Sequence, residues 1–323
     1  MISSDHFWLL ALALILDAVV GDPDLIWRRV PHPAALIGAL VGLLDRVLNR
    51  SATSPRTRRR LGALAVAAVV AVAGLSGYGL ERLFAAIAYG WIGTVVVAAT
   101  LLAGRSLYEH VAAVGAAFAD GLDAARAAVG RIVGRDPRSL DEPRLCRAAI
   151  ESAAENFSDG LVAPALWFAL LGLPGLCVYK AINTADSMIG HLTPRHEDFG
   201  WAAARLDDLV NLPASRLSGA LIALAAPLAG GSIAQSFWIM VEEAGHHRSP
   251  NAGWPEAAIA GALGIALGGP RRYAGIVVDD PFLNEGGRRD ATPADIDRAL
   301  SVYVGASAIL VLIVLFAAGL ALL

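Results

Sequence analysis

Long apolar stretches along this chain alternate with short polar ones, and that alternation predicts its elements. Residues 7–21, 61–80, 84–104 and 302–323 are apolar runs near the length needed to cross a bilayer, about 20 helical residues. Two further runs, 161–182 and 217–231, are apolar but interrupted, the first by Pro164, Gly172, Pro174 and Gly175, the second by Pro227. Broken segments dip into a membrane and return when their unpaired backbone lines a protein-buried cavity. We therefore expect broken or re-entrant pieces whose flanking motifs stay on one face. Between the runs, 34–48 reads as an amphipathic helix and 105–140 as one long extramembrane helix ended by Gly134-Arg135-Asp136-Pro137. Glu81-Arg82 reads as a tight turn between two spans, and 258–269 as a Gly/Ala helix suited to close packing. The expected fold is an all-α integral membrane protein, one polytopic helical bundle over 1–323.

Composition and charge sharpen this. The chain is 56% hydrophobic and 17% charged, with a mean hydropathy of +0.57; soluble domains carry about a quarter charged residues. A net charge of -3 carries no nucleic-acid signature, so the partner expected from composition is the lipid bilayer. Phe7–Gly21 lacks a basic flank and a small-residue cleavage site, and reads as a retained helix. Arg50, Arg56, Arg58, Arg59 and Arg60 precede the run 61–80, and Arg105, Arg126, Arg131, Arg135 and Arg138 follow the next. Positive residues stay inside, which puts the N-terminus outside and both basic segments in the cytoplasm, consistent with a plasma (inner) membrane. Cys146 and Cys177 have no CxxC spacing, which suggests neither a disulfide framework nor a zinc site.

The polar positions are concentrated. Residues 148–160 hold Glu151, Ser152, Glu155, Asn156, Ser158 and Asp159 just before an apolar run. On a helix Glu151 and Glu155, and Asn156 and Asp159, share faces. Three more clusters repeat the theme: Asn183/Asp186/Ser187, Asp207/Asp208/Asn211 and Asn251/Glu256. All offer hard oxygens and amides, without thiolate or imidazole, which favours Mg²⁺ with phosphate over zinc or copper. The adjacent charges of Asp207 and Asp208 repel unless a cation offsets them. Lys180, Arg205 and Arg216 supply positive charge for a polyphosphate or carboxylate. The loop Gly21-Asp22-Pro23-Asp24, followed by Pro31-His32-Pro33, fixes acids and an imidazole by proline and glycine. Asp17 is either an interfacial acid or an intramembrane functional one. No Gly-x-x-x-x-Gly-Lys-Ser/Thr loop is present, so a nucleotide would be held in another way. Taken together the clusters suggest one shared polar site at helix ends on the cytoplasmic face.

The motifs resemble those of the CobD/CbiB family of cobalamin biosynthesis, the adenosylcobinamide-phosphate synthases, nearly end to end. They are Asp17-x-x-x-Gly21-Asp22-Pro23 with His32-Pro33, Glu109-His110, Gly134-Arg135-Asp136, Glu151-x-x-x-Glu155-Asn156-x-Ser158-Asp159-Gly160 and Tyr179-Lys180-x-x-Asn183-x-x-Asp186-Ser187-Met188. Gly200-Trp201-x-x-x-Arg205-x-Asp207-Asp208-x-x-Asn211, Ser249-Pro250-Asn251-x-Gly253-Trp254-Pro255-Glu256 and Leu267-Gly268-Gly269 follow. The chain departs from the expected pattern at Pro213-Ala214-Ser215-Arg216, one residue longer than Pro-x-Arg, and at Gly190-His191, where an aromatic is expected.

The resemblance implies an ATP-dependent ligase. It would join a propionate of adenosylcobyric acid to (R)-1-aminopropan-2-ol or its O-phosphate, giving adenosylcobinamide or its phosphate, with Mg²⁺ and ATP and a corrinoid substrate. It implies Asp186, Asp207 and Asp208 as holders of Mg²⁺–ATP, with Asn183 and Asn211 completing the shell. Lys180 and Arg205 would bind phosphate or propionate, and Glu155, backed by Glu151 and Asp159, would recognise the amine or act as base. His32 and His110 are alternative bases. Asn156, Ser158, Ser187, Arg216, Asn251 and Glu256 complete the substrate and ATP contacts, and association with other late cobalamin-pathway membrane enzymes is a further expectation. Two rival readings are a Mg²⁺-dependent membrane prenyltransferase, for which Asp207-Asp208-x-x-Asn211 is only half a motif, and an AmpE-like membrane sensor or transporter.

Overall fold

The structure is a computed structural model and describes residues 4–23, 27–133, 137–273, 276–278 and 280–321. In chain order the elements are α1 (Ser4–Val20), α2 (Pro33–Leu48), α3 (Pro55–Ala85), α4 (Trp91–Leu101), α5 (Gly104–Ala117), α6 (Leu122–Val129) and α7 (Glu142–Asn156). A π-helical turn, Phe157–Val162, leads into α8 (Ala163–Ile189), then α9 (Trp201–Ala225), α10 (Ile233–Glu243) and α11 (Gly253–Leu263). Four short strands follow, β1 (Leu267–Gly268), β2 (Arg271–Tyr273), β3 (Ile276–Val278) and β4 (Phe282–Leu283), and then α12 (Pro293–Leu320). The strands pair antiparallel as β1–β4, with Leu267 opposite Leu283, and β2–β3, with Arg271 opposite Val278. The protein is an all-α polytopic membrane protein. Helical segments at Pro55–Ala85, Trp91–Asp120, Glu142–Ile189, Trp201–Ala229 and Pro293–Leu320 are long and apolar enough to cross a bilayer. Cys146 and Cys177 are buried free thiols.

The exposed surface has a membrane protein's polarity. Along α3 the buried stripe is small (Gly62, Ala65, Val66, Val69, Ala73, Gly77), while Leu64, Val72 and Leu75 face outward. Lipid tails accept the large side chains, and small residues let helix backbones approach. Leu312, Ile313 and Phe316 on α12 are exposed in the same way.

The chain divides into two compact units. The first comprises residues 1–103, 163–211 and 314–323; the second comprises 104–162 and 212–313. Within the first unit α8 is bent sharply at Gly172, whose φ of 65° and ψ of -152° only glycine adopts cheaply. Residues eight apart in a straight helix lie about 12 Å apart, yet a Cβ on Gly175 would fall against the Trp167 carbonyl oxygen. The Glu81 carboxylate accepts the Leu173 N–H at 2.9 Å, replacing a helical bond lost at the bend. From there α8 runs antiparallel to α3, since a Cβ on Gly77 would meet Leu173, one on Gly74 would meet Val178, and one on Gly62 would meet Phe199. The half of α8 carrying Asn183 and Asp186 is thus nearer the arginine-rich start of α3.

Several boundaries differ from expectation. The run 84–104 does not begin a span at Phe84: α3 continues through Glu81-Arg82 to Ala85, because nothing there breaks a helix. The chain turns instead at 86–90, where Tyr89 takes φ 60°. The helix expected over 105–140 is broken at Gly121 (φ 103°). The piece 217–231 is the end of α9, closed by Gly230 (φ 74°), rather than a separate broken segment. Likewise 258–269 stops being helical at Gly264 (φ 68°) and turns into β1. At 17 residues, or about 25 Å, α1 covers most of 7–21 and is shorter than the spans above. Asp24, Gly134-Arg135-Asp136 and the last two residues of 302–323 lie outside the described residues.

Candidate functional site

In the first unit the polar side chains of α8 and α9 meet. The helices run antiparallel here, so Tyr179 and Asn183, one turn apart, face Asn211 and Asp207, also one turn apart. Asp207 is 8% exposed. One of its oxygens accepts the Asn211 amide at 2.9 Å and the other the Asn183 amide at 3.4 Å. Asn211, 1% exposed, accepts the Tyr179 hydroxyl at 3.0 Å. Trp167 Nε1 donates to the Val210 carbonyl at 3.2 Å and ties the other arm of α8 to the same stretch of α9. Asp186 is half-buried and close enough to act electrostatically on Asp207. A Cβ on Gly190 would overlap Asp186 Oδ1, so the carboxylate keeps its place only beside a glycine. Asp208 sits 3.6 Å from the exposed Arg205, and its charge also acts on Asp207. Lys180 is half-buried and Ser187 exposed on α8.

These donors fit one kind of metal site and not another. Among the described residues no three His, Cys, Asp or Glu side chains gather as a metal cage. Asn211 is engaged at both ends of its carboxamide, by Tyr179 and by Asp207. Asp186 and Asp207 supply two hard carboxylates, and Mg²⁺ characteristically takes one or two carboxylates together with substrate phosphates.

Loop 190–200 is clamped beside this cluster. Asp45 at the end of α2 accepts Asn49 at 2.8 Å and Arg195 at 2.7 Å, with His196 at 3.4 Å. Arg59 holds Asp198 at 3.0 Å. Burial raises the Asp45 carboxyl, but the hydrogen bonds from Asn49 and Arg195 and the charges of Arg195 and His196 outweigh it. The group is held below its usual value. His32 caps α2: its Nδ1 accepts the Ala34 N–H at 3.1 Å, leaving Nε2 3.6 Å from Asp22. His110, on α5 in the second unit, has Nδ1 2.6 Å from the Ser106 carbonyl oxygen.

In the second unit the motif around Glu151 spans the end of α7 and the π-helical turn, a rare element often found at functional sites. Glu151 is 7% exposed and accepts the Gly268 N–H at 2.8 Å, whereas Glu155 is exposed. Asn156 bonds back to Ser152, which bonds to the Ile132 carbonyl at 2.8 Å. Ser158 Oγ is buried without a hydrogen bond, and Asp159 is half-buried. Arg216, from α9, bonds to the Pro250 carbonyl and Asn251 Oδ1, each at 3.2 Å, and stacks 4.6 Å over Trp254. Asn251 also accepts Ser215 at 3.2 Å. Glu256 is 2% exposed and lies 3.7 Å from His247 Nε2. Arg216, expected to bind phosphate, is thus engaged in fastening the 249–256 turn to α9.

The family model described as CobD/Cbib protein matches residues 10–303. The chain belongs to the CobD/Cbib family. It is 51% identical over 321 residues to the cobalamin biosynthesis protein CobD of Sinorhizobium fredii, covering 96% of this chain and 98% of that one. It is 50% identical over 306 residues to CobD of a Sinorhizobium species (94% and 95%), and 46% identical over 310 residues to CobD of Rhodobacter capsulatus (95% of each). No solved structure matches.

Sequence reasoning left out Tyr179, Gly190, Ser215, His247 and Trp254 as site residues. For Tyr179 and Gly190 a signal existed, since each lies four residues from a named polar residue on the same helical face. His247 meets Glu256, and Trp254 meets Arg216, only through tertiary contact, which no spacing reports.

Proposed function

We propose that this chain is the amide-forming enzyme of cobalamin biosynthesis, a ligase that joins adenosylcobyric acid to (R)-1-aminopropan-2-ol or its O-phosphate using ATP. The observation that carries the reading is the near end-to-end match to the CobD/Cbib family, at about half identity to proteins named for cobalamin biosynthesis. The α8–α9 cluster supports it, because Asp186 and Asp207 have the donor chemistry for Mg²⁺ arriving with a nucleotide. When bound, the ion would neutralise phosphate charge. Lys180 and Arg205 would bind phosphate oxygens or the corrin propionate.

In the simplest sequence the propionate carboxylate attacks the terminal phosphorus of ATP, and ADP leaves with the bridging oxygen. The amine then attacks the acyl phosphate, inorganic phosphate departs, and the nitrogen's proton passes to a base. Glu155 is exposed at the end of α7 and is our choice for that base, with Asp159 as a second recognising group. Glu151 is engaged by Gly268 and takes a positioning role instead. His32 is the weaker alternative, since one ring nitrogen already caps α2. The antiparallel run of α8 toward the arginine-rich start of α3 supports placing the Asp186–Asp207 cluster toward the cytoplasmic face of the plasma membrane.

The test is direct. Detergent-purified protein with ATP, Mg²⁺, cobyric acid in its adenosylated form and either amino alcohol should give an amide product and release ADP. ADP without amide, or neither with all four components present, would end the ligase reading.

A further inference from the structure

The second unit holds a cavity of about 230 Å³ that the cluster on α8 and α9 does not use. One wall is the turn after α10, with His246, His247, Arg248 and Ser249; the other is the β1–β4 ladder, with Gly268 and Asp280 at its edge. Among the described residues, no helix long and apolar enough to cross a membrane includes any of the residues that line it.

Its polar groups are of both signs. Arg248 Nε and Asp280 Oδ1 are 2.6 Å apart, and the arginine is largely exposed. A guanidinium has five N–H donors, and a single carboxylate contact leaves others for a ligand. Ser249 Oγ accepts the backbone N–H groups of Asn251 and Ala252, each at 3.2 Å, so its hydroxyl proton is free to point elsewhere. His246 adds an imidazole. Guanidinium, hydroxyl and imidazole suit a phosphate dianion, and the carboxylate beside them suits an ammonium.

The walls are also held in place. His247 Nδ1 accepts the Ser249 N–H at 3.1 Å, and the Arg216–Trp254 stack fixes the turn from behind. Opposite, Glu151 accepts the Gly268 N–H, and Gly269 donates to the Pro281 carbonyl at 3.1 Å. A site with this support binds without first having to order itself.

The geometry points to this cavity as the subsite for a small zwitterion that carries a phosphate and an amine. Arg248 and Ser249 would grip the phosphate and Asp280 the ammonium, with Glu151 as a positioning residue. The inference rests on the ligase reading for the ligand's role: it assigns the place and the specificity residues for a phosphorylated amino alcohol over the free one.

The experiment has two arms, both on full-length protein in detergent. In the first, 1-aminopropan-2-ol O-phosphate is titrated calorimetrically without ATP. The native protein should bind it, and Arg248→Ala should weaken binding by about tenfold or more, with Arg248→Lys in between. In the second, turnover is measured with each amine. Arg248→Ala and Asp280→Asn should raise KM for the phosphorylated amine while leaving KM for ATP and the corrinoid unchanged, and Arg248→Ala should cost the free amine far less. No binding by the native protein, or equal binding by native and Arg248→Ala protein, overturns the subsite. Binding without amide formation keeps the subsite and overturns the ligase reading instead.

Discussion

The α8–α9 cluster and the polar set around Glu151 and Asn251 look alike on paper, yet they use their carboxylates differently. In the first, Asp207 accepts from two neutral amides, and the Asp186 charge acts on it, so negative charge gathers there. In the second, Glu151 holds a backbone N–H and Glu256 lies against His247. Gathered like charge is costly to maintain and typical of a site that receives a cation or a charged substrate. A carboxylate that fastens a backbone group is typical of scaffolding. The difference teaches that Asp207 and Glu151, equally prominent as sequence motifs, should fail in different ways when changed.

The largest effect is expected at Asp207. Asp207→Ala leaves the Asn183 and Asn211 amides without their acceptor and removes the charge, and the proposed amide-forming activity should fall by about a hundredfold. Asp208→Ala, at a half-exposed residue facing Arg205, should cost clearly less; equal losses in the two variants would erase the distinction drawn within the dyad. Next comes Gly190→Ala, which must displace the Asp186 carboxylate. A loss of about tenfold in activity is expected, with a lowered melting temperature because the added methyl also crowds the Asp186 carbonyl oxygen, and a fully active variant would remove Asp186 from the site. The third change sharpens the contrast between the regions. Glu151→Gln keeps an acceptor for Gly268 and should stay near native, whereas Glu151→Ala should lower stability by about 1–3 kcal/mol. Thermal melts of both variants in detergent read this, and a severe activity loss in a stable Glu151→Gln protein would make Glu151 chemical rather than structural.

Which parts of this were legible beforehand follows from where the determining contacts lie. The long helices over the runs that begin near 61 and 302 were legible because apolar length is written directly in the chain, and the motif on α8 pairs with that on α9 at the spacing a helix face dictates. The break at Gly172 was visible too, since glycine and proline cluster there. The turn was misplaced at Glu81-Arg82 because the charge of Glu81 serves Leu173, 92 residues on, and not a local reversal. Helix ends at Gly121 and Gly264 were missed because a lone glycine signals a left-handed cap only when the next element pulls the chain aside. Sequence gives Arg216 its charge but not the Trp254 ring beneath it or the turn it fastens.

The smallest expected effect separates the α8–α9 cluster from the clamp beside it. Asp45 lies outside the candidate spans and is held below its usual carboxyl value despite burial, by Asn49, Arg195 and His196. A depressed folded-state value means the carboxylate's contribution is fully present above about pH 4, the unfolded value, and is lost as pH falls through the folded one. Hydrogen exchange of residues 190–200, corrected for the intrinsic rate, should therefore be slow at pH 6 and rise a few-fold toward pH 3. Asp45→Asn keeps an acceptor but no charge, so its segment should exchange faster at pH 6 and change little on acidification. Protection in the native protein that is the same at both pH values would show that Asp45 does not hold the loop. If Asp45→Asn also keeps native turnover, the clamp supports the loop without reaching Asp186. If turnover falls with protection, the loop and the carboxylate cluster act as one device, because Gly190, which makes room for Asp186, is the first residue of the segment that Asp45 restrains.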